Sequence, residues 1–257
     1  MTRALPRTHF NRSSLVRILA DLALLDPLEG GGAFAEKLGL WVDFMSANTL
    51  SAALAAIAAS ATGPQSLEPS DTSAPVVDAF DRARLSLVNS IGKSFAHEAA
   101  ASRAELGFAK PGKPFAVAAA YAPHRRNYLA HQRDMDLRIR PLRVNVREVL
   151  ATSSPALKKL AVLDATLESI LGDRESKLLA TLASLLEKRF EQLFTAHQQA
   201  LVDAQQADSP GAWMKPGGWL ARFGNELQTV LLAELDLRLQ PIVGLLEALH
   251  NEKTKYQ

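Results

Sequence analysis

Several short phrases in this 257-residue chain hold residue types that do chemistry elsewhere. Gly92-Lys93-Ser94 resembles the end of a phosphate-binding loop, in which backbone N–H groups wrap a phosphate. Such a loop needs a glycine five residues before Gly92 and a strand leading into it. Leu87 holds that position, and the pattern around it is helical. Ser90 and Lys93 have the spacing of a Ser-x-x-Lys nucleophile, but the companion motifs of that class are missing. His97-Glu98 opens a zinc-protease motif whose second histidine must follow one helical turn later, and Ala101 stands there instead.

Glu247-x-x-His250 has the spacing of a dinuclear iron ligand pair, which needs a second such pair and two further glutamates. No other histidine here has a glutamate three residues before it. His124 and His131 lie two helical turns apart, too far to share a metal without other ligands. The chain has no cysteine, which excludes disulfides, thiolate metal sites and cysteine nucleophiles. These patterns nominate no catalytic, cofactor-binding or metal-ligating residue. An enzyme with a site between helices is an alternative that rests on residues converging only in space.

The sharpest remaining signal is cationic. Arg126, Arg133, Arg140 and Arg147 recur every seven residues, with Arg125, Arg138 and Arg143 beside them. Only Asp134, Asp136 and Glu148 oppose this charge between Pro123 and Leu150. Such a stripe suits an acidic partner helix, or the phosphates of nucleic acid or lipid. It equally suits arginines that pair with acids of neighbouring helices. Tyr121 and Tyr128 are the only aromatic residues interleaved with it, which weakens a single-strand nucleic-acid reading.

The elements that must position these residues read as helices throughout. Asp134-Met135-Asp136-Leu137-Arg138-Ile139-Arg140-Pro141-Leu142 returns one hundred positions later as Glu234-Leu235-Asp236-Leu237-Arg238-Leu239-Gln240-Pro241-Ile242. Both copies set an acid four residues before an arginine, Asp134 to Arg138 and Glu234 to Arg238, a spacing that pairs them on one helix face. Pro141 and Pro241 then fall inside an apolar helical pattern, where a proline removes a hydrogen bond and crowds the preceding turn. The phrase predicts a structural role: two long helices bent, or begun, at matching places.

Met135, Ile139, Leu142, Val146 and Val149 alternate steps of four and three, a coiled-coil-like seam. Leu15, Ile18, Leu19 and Leu22 form one N-terminal stripe, with Asn11 or Ser13 as its cap. Phe34, Leu38, Trp41 and Met45 form a second, and Thr49 to Ala61 is alanine-rich. Val76, Phe80, Leu87, Ile91 and Phe95 point inward from a helix starting near Pro75, and Lys110 to Pro114 is a turn. Ser153-Ser154-Pro155 caps a further helix that Gly172-Asp173 breaks or loosens. Asp208 to Gly218 is a loop pinned by Trp213 and Trp219. The final helix, to about His250, is apolar around most of its circumference and must be covered on several sides.

Residues 1–60 are expected to form an N-terminal helical hairpin, 61–75 a flexible linker, and 76–257 a long-helix bundle with kinked helices. The class is all-α. A net charge of +2 gives no global drive toward nucleic acid or acidic membranes. Asp21 interrupts the apolar run after Arg17, so that segment reads as an amphipathic helix rather than a signal peptide. Phe44 to Leu67 lacks charge but is too polar and broken to span a bilayer. These features predict a cytoplasmic protein without membrane insertion.

Leu232 to Pro241, followed by Gly244-Leu245-Leu246-Glu247-Ala248-Leu249, resembles the C-terminal end of an uncharacterised proteobacterial family, a domain of unknown function of about this length. Leu15 to Leu22 and Phe34 to Gly39 are similar to its N-terminal part, and Leu160 to Asp164 and Leu186 to Phe190 to its middle. The resemblance implies no activity, substrate or cofactor. It implies service to an envelope-associated complex. The reading is thus a non-enzymatic helical interaction or scaffold protein, with a protein partner or a second copy of itself meeting Arg126, Arg133, Arg140 and Arg147. The alternative is a nucleic-acid-binding protein that uses the same helix.

Overall fold

In the computed structural model, which describes residues 14–24, 44–59, 73–107 and 117–254, the apolar periodicities become α-helices, with no strand among the described residues. In chain order they are α1 (Ser14–Asp21), α2 (Phe44–Ala59), α3 (Ser73–Gly107), α4 (Val117–Ser153), α5 (Pro155–Ala180), α6 (Leu182–Asp203) and α7 (Trp219–Thr254). The result is an all-α bundle with one bent helix. The stripe on Phe34, Leu38, Trp41 and Met45, the cap at Asn11 or Ser13, the segment 60–72 and the turn at Lys110 to Pro114 lie outside the residues whose side chains are described.

The four-and-three seam of α4 is buried along its whole length, from Tyr121 and Tyr128 through Met135, Ile139, Leu142 and Val146 to Leu150. Seven residues make nearly two turns of helix, so such a seam holds one side toward its neighbours. α4 packs on α3, α5, α6 and α7. Pro75 falls in the first turn of α3, where its missing N–H has no helical partner to lose. Val76, Phe80, Leu87, Ile91 and Phe95 are all buried, as their spacing requires.

The turn from α4 into α5 is capped by Ser154, whose Oγ accepts from the Leu157 N–H at 3.2 Å, with Pro155 opening the helix. The expected weak point at Gly172-Asp173 does not break α5. The chain instead falters at Thr181, whose hydroxyl donates back to the Leu178 carbonyl at 2.6 Å. That bond competes with the helical ladder, which is why a threonine and not the glycine divides α5 from α6. Leu178, whose carbonyl accepts the Thr181 bond at this break, is 46% exposed.

After α6, a short 3₁₀ turn (Pro210–Ala212) carries Trp213 into contact with Trp219, ring centroids 5.5 Å apart, and both rings are buried. Asp208 ties the loop down, accepting from Trp213 Nε1 at 2.8 Å and meeting His197 Nε2 at 3.0 Å. α7 then runs through the bundle in contact with α1, α3, α4, α5 and α6. This satisfies the demand of a helix that is apolar on most sides. α1 lies on α7, burying Leu15 and Leu19, and α2 lies on α5. No described helix is long and apolar enough to cross a membrane.

Candidate partner-binding face and buried ion network

The bundle divides the seven-residue arginine stripe in two. On α4 the side opposite the buried seam exposes Arg126, Ala130, Arg133, Leu137, Arg140, Pro141 and Val144. Steps of three and four return to one side of a helix, so these side chains form a single face. Leu137, at its centre, is 75% exposed. No acid occurs among these positions. Arg126 and Arg133 have no ion-pair partner among the described residues, and Arg140 makes one long contact, Nη2 to Ser176 Oγ at 3.5 Å.

Arg147 stands elsewhere. Its Nη1 donates to Glu168 at 2.5 Å and to Asp164 at 3.2 Å, both on α5. Arg143 forks onto the same Asp164 with bonds of 2.9 and 2.6 Å. Both arginine side chains are only 13% exposed. The drift has a geometric cause: a seven-residue repeat slips by ~20° per heptad on a straight helix, roughly 60° from Arg126 to Arg147. The last arginine therefore turns off the solvent face toward the acids of α5. Of the four arginines expected to share one surface, Arg126, Arg133 and Arg140 stand on the exposed face and Arg147 belongs to the internal network.

Tyr121 and Tyr128 do not interleave with the arginines as stacking platforms. Both are fully buried; the Tyr121 hydroxyl donates to the Ala183 carbonyl and that of Tyr128 to Glu234.

Glu234 is completely buried. Besides Tyr128 it accepts from Gln132 Nε2 at 2.9 and 3.1 Å and from Arg238 Nε at 2.9 Å. Gln132 Nε2 also reaches the Leu179 carbonyl at 3.0 Å, drawing the end of α5 into the cluster. Arg238 turns its Nη1 to Asp136 at 2.7 Å, so the two copies of the repeated phrase touch. The pairing is one-sided. Arg138 serves its own Asp134 at 2.8 Å and Ser86 of α3 at 2.7 Å, while Asp236 faces Arg84 at the surface. Pro141 and Pro241 both lie inside continuous helices, not at helix starts.

A buried carboxylate with donors from a tyrosine, a glutamine and an arginine has its lone pairs satisfied, which is the condition for keeping a charge in a core. This cluster joins three helices, α4, α7 and the end of α5. Asp134, Arg138, Glu234 and Arg238 all bond between or along helices of the bundle.

A family model described as "Protein of unknown function (DUF3348)" matches residues 1–251. The chain belongs to that family. No curated protein and no solved structure matches it significantly. Membership in DUF3348 assigns no activity.

Among the short motifs, Gly92-Lys93-Ser94 lies in the middle of α3 of this DUF3348 member, with no loop to cradle a phosphate. Lys93 and His97 are exposed. Glu98, the dismissed half of the protease motif, meets His124 instead: its Oε1 is 2.5 Å from His124 Nδ1, and Asn127 Nδ2 donates to its Oε2 at 2.6 Å. Ser94 Oγ donates to Asn127 Oδ1 at 2.8 Å, so it holds the amide and does not pair with the imidazole. No spacing signals this cluster, because its members come from two helices 26 positions apart. Gln132, Asp164 and Glu168 were equally silent in sequence. Asp136 was legible, in principle, from aligning the repeated phrase.

Proposed function

We propose that this protein is a non-enzymatic helical interaction protein of the cytoplasm, whose α4 face seats an acidic amphipathic segment of a partner protein. The supporting observation is the exposed face of Arg126, Arg133, Leu137, Arg140 and Val144, three cations around an apolar centre, with Glu148 the first acid, one turn beyond Val144. An exposed leucine flanked by arginines without an ion-pair partner among the described residues fits a partner that brings both a greasy side chain and carboxylates. Phosphates alone leave Leu137 uncovered, and the buried tyrosines remove the stacking that single strands use.

The test is affinity capture with the intact chain from its native cells, followed by photo-crosslinking from position 137. A partner caught by the native chain and lost on combined Arg126→Glu, Arg133→Glu and Arg140→Glu replacement, then restored by charge reversal in the partner's crosslinked segment, supports the reading. Equal capture by both chains sinks it. So does duplex DNA binding with a log–log salt slope of about −2.7, the value three phosphate contacts produce at roughly −0.9 each.

A further inference from the structure

A cleft of about 250 Å³ opens between α3, α4 and α7, away from the arginine face. Phe95, Met214 and Leu220 give it apolar walls, Asn225 and Gln228 line it from α7, and Glu98 and His124 form its polar end. An enclosed volume of about 150 Å³ already takes benzene, so this one has room for a ring and a short substituent.

The electrostatics of the polar end are simple. Among the described residues, Glu98 and His124 are the only ionisable side chains on the lining. Burial works to raise the Glu98 pKa, but the hydrogen bond and charge of His124 and the amide of Asn127 outweigh it, and the net direction is down. The carboxylate is therefore ionised at neutral pH. A carboxylate has about four lone-pair sites, and His124 and Asn127 use two. His124 Nε2 has no partner among the described residues. Its ring is set edge-on to Phe223, centroids 5.3 Å apart. Behind Phe95 lies His131, stacked on that ring and kept neutral by burial, which lowers its pKa against the pull of Asp134 and Glu98.

The helices leave the space open on purpose-built positions. Gly92 of α3 and Gly224 of α7 both line the cleft, and a Cβ at either meets nothing within 4 Å. Glycine inside a helix is less stable than alanine. Packing does not ask for glycine at either place, but an unobstructed cleft does.

We infer that this cleft is a binding site for a small organic cation, a primary ammonium on a compact apolar body, with the ammonium on Glu98 and the body between Phe95, Met214 and Leu220. An anion of the same shape finds no cation there except His124, which Glu98 already holds, and binds more weakly.

The experiment is titration of the full chain with benzylamine, benzyl alcohol and benzoate, followed by calorimetry and by amide chemical shifts. Benzylamine is expected to bind, with benzyl alcohol and benzoate each at least tenfold weaker. Glu98→Gln should weaken benzylamine at least tenfold and leave benzyl alcohol unchanged. Gly224→Leu, which adds a side chain to the α7 wall where a Cβ meets nothing within 4 Å, should abolish binding of both while the melting curve stays cooperative. Absence of benzylamine binding to the native chain overturns the inference. So does equal affinity for benzylamine and benzoate, or full benzylamine affinity in a folded Gly224→Leu protein. The arginine-face variants leave these titrations unchanged, which separates the two sites.

Discussion

Asp136 and Arg238 stand 102 positions apart and meet at 2.7 Å. That contact joins the two copies of the repeated phrase, and it is not reciprocated between Asp236 and Arg138. Arg238 thereby bridges a fully buried acid, Glu234, and a partly exposed one, Asp136, which is 39% exposed. The one-sidedness fixes which copy faces inward, and so the rotation of α7 against α4.

Removing Arg238 strands a charge. Arg238→Met is expected to destabilise the protein by about 3–5 kcal/mol, because the Glu234 carboxylate keeps its burial and loses its counter-ion. Adding Glu234→Leu to that variant recovers most of the loss, since a well-packed apolar pair replaces an ion pair at little net cost. Urea unfolding of the single and double variants measures both. An unaltered midpoint in Arg238→Met contradicts the assignment.

The two halves of the arginine stripe should separate by stability. Arg133→Ala lies on the solvent face and is expected to change stability by no more than about 0.5 kcal/mol. Arg147→Ala removes a cation shared by Asp164 and Glu168 and should cost about 2–3 kcal/mol, with Arg143 left to hold both acids. Equal effects in parallel denaturation curves would show that the division is wrong.

Stability should depend on pH in two steps. His131 titrates lower in the folded protein than its ordinary 6.5, chiefly through burial. Its contribution is complete above about that value and is lost as pH falls through it, because the unfolded chain takes up the proton first. Asp208 and Glu226 are also held below their ordinary values of 3.8 and 4.5; burial opposes this, but Trp213 and His197 hold Asp208, and Arg189 and Arg222 hold Glu226. Their contributions are present above those ordinary values and disappear as pH falls further. Melting temperature against pH should decline from about 6.5 and steepen below 4.5, and His131→Leu should flatten the upper part alone.

Glycines divide the same way. Gly92→Ala and Gly224→Ala meet no neighbour and should stabilise by about 0.5–1 kcal/mol each. Gly218→Ala puts a Cβ 2.2 Å from the Trp213 carbonyl oxygen and should destabilise by more than about 2 kcal/mol, with loss of the buried tryptophan fluorescence.

Most of the bundle was legible before any coordinate. Leu15 and Leu19, the Val76 to Phe95 face, the seam from Met135 to Val149, the Ser154-Pro155 cap and the tryptophan-pinned loop all follow from spacing or turn chemistry, and all stand where that spacing demands. The α5–α6 break did not, because Gly172 is a stronger signal in sequence than Thr181, whose side-chain bond forms only at the break.

The amino-acid sequence alone decided what repeats along one helix: the class, the buried stripe, and the local Glu234–Arg238 pair four residues apart. These depend on 3.6 residues per turn and on nothing outside the helix. Tertiary structure decided what depends on how one helix is rotated and shifted against another. It set Arg147 on Asp164 and left Arg133 in solvent, joined Asp136 to Arg238, and brought Glu98 to His124 at the mouth of a cleft. A slip of a few ångströms or a few tens of degrees remakes every such contact while leaving each helix's own pattern intact, because ion pairs and clefts are short-range and helical periodicity is not.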